Sequence, residues 1–279
     1  MASWGTSWGT SWGTSWDAPE FSPDLTTGVE LDGGYLTSTG LGASDTKTLL
    51  FSGFLQPLNG SPGAVLWHSR ANGSEHGAIK IIQDDDGTLH LEANAIGSAT
   101  PIVSLETDPG DMEDFIFAYH HFAFSVDTAT STAKLVVDGQ EFPFTGSITA
   151  DAFFDWSVAD ITFAAQSGGS NPWNGCAGEV VLTNEYLDVV ANHLSFRKVN
   201  GFPESGGADG SAYTGTQPLV YLSGGEAQFA FNFGSGGSFT ENPPDYIDCE
   251  IEAASPPSSA FHAALAMRST ITIQNGLVP

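Results

Sequence analysis

Basic residues are almost missing from this chain. Seven Lys and Arg stand against 33 Asp and Glu, a net charge of −26 over 279 residues. Nucleic-acid binding rests on Lys and Arg contacts to phosphate, so so acidic a surface argues against it. Anionic lipid headgroups are repelled for the same reason. Cysteine is nearly absent too, with only Cys176 and Cys249. Two cysteines cannot build a disulfide framework for a chain this long, and they lack the paired spacing of a zinc site. A single bridge between them stays open. No apolar run approaches the ~20 residues of a membrane span. The N-terminus shows neither the basic patch nor the apolar segment of a secretory signal, so export by that route is not expected. Periodic runs of helix formers are also lacking. Only Tyr186 to Leu194 and Ser258 to Met267 read as short helical stretches.

Apolar residues make up 41% of the chain, enough for a substantial core, and 33 Gly and 15 Pro punctuate it with turns. The apolar segments have strand length and strand spacing. Val29 to Leu36 reads as a first strand pair, and Leu49–Leu55 and Ala64–Ser69 as buried strands. Ala78–Gln83 and Thr88–Ala93 flank the turn Asp84-Asp85-Asp86-Gly87, a hairpin signal. Phe115–Val126 and Lys134–Val137 form the next pair, and Asp138-Gly139 supplies the positive φ angles of a tight primed turn. Ile161–Ala165 and Gly178–Leu182 complete the series. Regular short strands separated by turns predict an all-β, antiparallel two-sheet sandwich.

Three regions differ in composition. Residues 1–24 open with the repeat Ser-Trp-Gly-Thr, which places Trp4, Trp8, Trp12 and Trp16 on one face of a strand. Such a stripe has no core of its own. It is either a flexible leader or an interface anchor, and Trp suits the second role by hiding a large area at low entropy cost. Residues 25–203 hold the sandwich. Residues 204–279 form a Gly-rich extension, whose apolar pieces either add strands to the sandwich edge or make a small β appendage.

The order of Tyr119-His120-His121-Phe122, then Val137-Asp138-Gly139, then Asn174-Gly175 with Gly178-Glu179-Val180 resembles the laminin-G-like and concanavalin-A-like jelly roll from Leu49 to Tyr186. The stretch from Ala208 to Thr240 resembles a segment that follows laminin-G-like domains in structural proteins of tailed bacteriophages, and the Trp-Gly leader resembles leaders of such proteins. These resemblances imply a virion structural component: a decoration, fibre or adsorption module. It would meet capsid or tail proteins through its leader, assemble in many copies or as a homo-oligomer, and bind host surface glycans. The acidity fits a saline or marine setting, or simply an acidic surface. The alternative is a free carbohydrate-binding protein or glycoside hydrolase of concanavalin-like fold.

Site chemistry follows. Jelly-roll glucanases carry paired carboxylates at E-x-D-x-x-E spacing; here Glu30-Leu31-Asp32 lacks the second Glu, and Asp111 and Glu113 sit in a loop, so no catalytic residue is expected. His120 and His121 point to opposite faces of a strand, one at the core edge and one toward solvent. Calcium is the one cofactor the sequence allows, through Asp84, Asp85 and Asp86. Sugar recognition needs aromatic platforms beside amide and imidazole hydrogen-bonders, and Trp67, His68, Asn72, His76, Asn171, Trp173 and Asn174 are of those types.

Overall fold

A computed structural model describes residues 26–58, 62–70, 77–84, 88–108, 118–242 and 246–251. The Trp4, Trp8, Trp12 and Trp16 repeat, Asn72, His76, Asp85, Asp86, Asp111, Glu113 and the expected Ser258–Met267 helix lie outside them.

Sixteen strands form two sheets. They are β1 Thr26–Leu31, β2 Tyr35–Ser38, β3 Thr48–Pro57, β4 Ala64–Arg70, β5 Gly77–Gln83, β6 Leu89–Asn94, β7 Pro101–Glu106 and β8 His120–Asp127. After them come β9 Thr132–Val137, β10 Gln140–Phe142, β11 Thr145–Ile148, β12 Asp160–Phe163, β13 Gly175–Thr183, β14 Val220–Leu222, β15 Thr240–Asn242 and β16 Ile247–Ile251. The first sheet runs β10-β9-β8-β3-β13-β1-β16, with β14 also on β13; the second runs β11-β7-β6-β5-β4-β12-β2-β15. Every pairing between named strands is antiparallel. Between the sheets lies one core that includes Phe51, Trp67, Phe124, Trp156, Phe163 and Trp173. Burying one such aromatic side chain contributes on the order of 2–3 kcal/mol.

The expected hairpins form. β5 pairs with β6, β8 with β9, and β9 with β10. In the last turn Asp138 has φ 52° and Gly139 φ 84°, the geometry of a primed turn. The first strand pair does not form. β1 joins the first sheet and β2 the second, because the Asp32–Gly34 turn carries the chain across the sandwich instead of folding it back.

The first sheet is buried on its outer face as well. The segment after β13 lays down α1 (Val189–Asn192), capped by Asp188, then one 3-10 turn and α2 (Ser211–Thr214). Val189, Phe196 and Tyr213 pack there on Leu50, Ala123, Val136 and Val181. This cover explains the unbroken apolar runs of β3, β8 and β13, since a strand covered on both faces need not alternate. It also corrects the expectation for the histidine pair. His120 and His121 do face opposite ways, but both are buried. His120 Nδ1 meets Asp138 Oδ2 at 2.6 Å and His121 Nε2 meets Ser52 Oγ at 2.9 Å.

The segment after residue 203 joins both sheets, through β14 and β16 in the first and β15 in the second. Its anchor is Glu179, which sits at φ 49° in a bulge of β13. Tyr213 and Tyr221 donate hydroxyl hydrogen bonds to Glu179 Oε2 at 2.8 and 2.7 Å, and Ser223 donates to Oε1. Cys176 and Cys249 are both free thiols. No helix among the described residues is long and apolar enough to cross a membrane.

Candidate functional site

At the β15 end of the second sheet, the residues that follow α3 (Glu226–Phe229) lie across from β15. Between them opens a cleft of about 430 Å³, lined by Ala230, Phe231, Ser238, Phe239, Thr240 and Glu241. None of these residues is among those expected from sequence to form a site. The run Phe229-Ala230-Phe231-Asn232-Phe233 alternates like a strand, which would put all three rings on one face. The chain instead turns at the end of α3, where Phe231 N–H donates to the Gln228 carbonyl at 2.8 Å. Phe229 is driven inward against Phe163, and Phe231 is left 63% exposed.

Asn232 holds this loop. Its Oδ1 accepts from Tyr221 N at 2.8 Å and Gly234 N at 2.9 Å, and its Nδ2 donates to the carbonyls of Leu219 at 2.9 Å and Gly237 at 3.1 Å. The glycines that follow are needed for close approach. A Cβ on Gly236 would stand 2.6 Å from the Leu219 carbonyl oxygen, and one on Gly237 2.5 Å from that of Gly40. The Gly-rich stretch is therefore a tightly seated loop that delivers Phe231 to one wall of the cleft and Ser238 to the other. Thr240 and Glu241 are exposed on β15, which pairs with Thr37 and Leu36 of β2. The lining thus brings exposed Phe231 together with Ser238 and Glu241, while Thr240, its neighbour on β15, turns its side chain to the other face of the sheet.

The described residues among those expected from sequence to bind sugar, Trp67, His68, Asn171, Trp173 and Asn174, are placed as follows. Trp67 and Trp173 are core residues with no face to solvent, because β4 and the turn before β13 point them between the sheets. Trp173 Nε1 donates to Gln83 Oε1 at 2.9 Å. Trp67 stands behind the cleft, edge-on to Phe239. His68 is on the outer face of the second sheet but is buried beneath the 165–170 loop, where Ser167 N–H donates to its Nδ1 at 3.1 Å. Burial, then the charges of Lys80 and Arg70, lower its pKa to about 4, so it is neutral at pH 7. Nearby, burial would raise the Asp160 carboxyl, but hydrogen bonds from Arg70 and Ser167 hold it below its ordinary value. Asn174 Oδ1 accepts from Gly33 N at 2.8 Å and so fixes the turn between β1 and β2. Asn171 is exposed, bonded to Gln166. These five described residues do not assemble into one platform.

Of the acidic triplet, Asp84 is described. Its Oδ1 accepts from Gly63 N at 2.6 Å and its Oδ2 meets His90 Nε2 at 2.8 Å. Among the described residues no group of three His, Cys, Asp or Glu is placed to hold a metal.

No family model and no curated protein matches the sequence. Solved structures do match. A protein of Bacteroides ovatus provisionally described as carbohydrate binding superposes with TM-score 0.56 at 12% identity over 82% of this chain. This chain spans 61% of that protein's length. A heptameric SAP-like pentraxin of Limulus polyphemus superposes with TM-score 0.54 at 10% identity, over 83% of this chain and 98% of its own. Domains LG4-5 of the mouse laminin alpha1 chain give TM-score 0.42 at 16% identity, covering 60% of this chain and 44% of theirs. The first two establish the fold as a laminin-G/concanavalin-like jelly roll.

Proposed function

We propose that this chain is a carbohydrate-binding protein whose ligand sits in the cleft against Phe231. One observation carries the reading: a solvent-exposed aromatic ring stands over a concave site rimmed by Ser238 and Glu241. A sugar offers an apolar C–H face to a ring and hydroxyls to polar groups, which is the pairing of surfaces this cleft presents. The fold shared with a protein described as carbohydrate binding supports it. Binding without hydrolysis is proposed because Glu241 is the one carboxylate among the described residues lining the cleft, and glycoside hydrolysis uses a pair. The test is a glycan array with the labelled full chain and its Phe231→Ala variant. Binding that the variant loses supports the reading. An array on which the wild-type chain stays blank would remove it.

A second reading rests on the Trp repeat and on the resemblance of residues 208–240 to phage structural proteins. In it the chain is a virion component, anchored to capsid or tail proteins through Trp4, Trp8, Trp12 and Trp16 and presenting the same cleft to host glycans. Deleting residues 1–16 then leaves a folded sandwich that no longer joins the particle. Normal incorporation of the truncated chain would end this reading.

A further inference from the structure

The charges around the cleft bear on which sugars it takes, an inference that rests on the carbohydrate-binding reading above. Among the described residues lining the cleft, Glu241 is the only charged one. The six described basic residues are placed elsewhere. Lys47, Arg70 and Lys134 are ion-paired with Asp151, Asp160 and Glu141. Arg197 is buried, Lys80 lies opposite Glu92 on β6, and Lys198 follows the 3-10 turn; Arg268 is outside the described residues. The chain as a whole carries −26.

We propose that the cleft excludes acidic sugars, takes neutral ones, and binds amino-bearing ones most tightly. A sialic acid or uronate would bring its carboxylate against Glu241 with no cation among the described lining residues to answer it, inside a field of the same sign. A neutral sugar stacks on Phe231 and meets the hydroxyl of Ser238. An amino sugar adds an ammonium that pairs with Glu241 and lies favourably over the Phe231 ring. An exposed pair of this kind strengthens binding roughly two- to fivefold, and salt weakens that share.

The experiment is calorimetric titration of the full chain with oligomers of glucosamine, N-acetylglucosamine and galacturonic acid, at low and physiological salt. The expected order is glucosamine, then N-acetylglucosamine, with no heat from galacturonic acid. Glu241→Gln should bring the first two together, and Phe231→Ala should remove both. Galacturonic acid binding that Phe231→Ala abolishes would overturn the charge selection while leaving carbohydrate binding intact. Glucosamine binding untouched by Phe231→Ala would be attraction to the acidic surface at large, and would also overturn it. Silence from all three oligomers, with a blank array, would remove both readings together.

Discussion

The indole of Trp67 stands edge-on to the ring of Phe239, with centroids 6.3 Å apart and planes at 68°. Trp67 belongs to the core, whereas Phe239 is at once core and cleft wall. The pair therefore ties the cleft to the interior of the sandwich. A wall backed by a buried indole keeps its shape without the ligand, which lowers the ordering cost of binding.

Trp67→Ala should cost about 3–5 kcal/mol of stability, as expected for a large buried aromatic. Trp67→Phe should cost less and still weaken glycan binding, because Phe239 loses its edge contact. Urea denaturation and the glycan titration measure the two effects. Unchanged binding in a folded Trp67→Phe chain would show that the backing contact is irrelevant to the cleft.

Phe231→Ala and Asn232→Ala should separate binding from folding. Phe231 is exposed, so its removal should leave stability within about 0.5 kcal/mol and lower affinity roughly tenfold or more. Asn232→Ala strips partners from two N–H groups and two carbonyls and should cost about 2 kcal/mol or more as well as binding. Equal effects of the two variants on the denaturation midpoint would contradict this division.

Tyr213→Phe should destabilise the chain by about 1–3 kcal/mol, since the hydroxyl that donates to Glu179 leaves a buried carboxylate with one donor fewer. In the wild-type chain burial, then the Glu179 charge, push Tyr221 up to about 12 and Tyr213 higher still. Both should stay un-ionised in a spectrophotometric titration well past pH 10 until the chain unfolds.

Stability should fall below neutral pH in a way traceable to His68 and His121. Burial, then nearby positive charge, lowers them from 6.5 to about 4 and about 3. Between pH 6.5 and those values the unfolded chain takes up protons that the folded chain refuses. The stability they contribute is whole above pH 6.5 and is lost as pH falls through that window, at up to ~1.4 kcal/mol per pH unit per group. His68→Gln should flatten the profile between pH 6.5 and 4. The same slope in the variant would mean that His68 is not held neutral.

Strand pieces and turns were readable because they are local. Asp138-Gly139 announces its turn through φ angles that few other dipeptides adopt, and the β5–β6 hairpin through its Asp-rich, Gly-closed tip. The β1–β2 pairing was misread because two short strands joined by Asp32-Gly33-Gly34 look alike whether they pair or cross between sheets. The burial of two expected platform residues was illegible for a related reason. Trp67 and Trp173 have the right chemistry for a sugar platform, but sequence does not say which side of a strand is covered. Phe231 was hidden by an alternation that a single helical turn breaks.

The sequence by itself determined the strand content, the acidity and the lack of cations, since each is a matter of composition or nearest neighbours. Only the tertiary structure decided which aromatic faces water. That depends on what packs above each strand: residues 186–214 over His121, the 165–170 loop over His68, and nothing among the described residues over Phe231. Burial is set by segments far apart in the chain, and no local pattern encodes it.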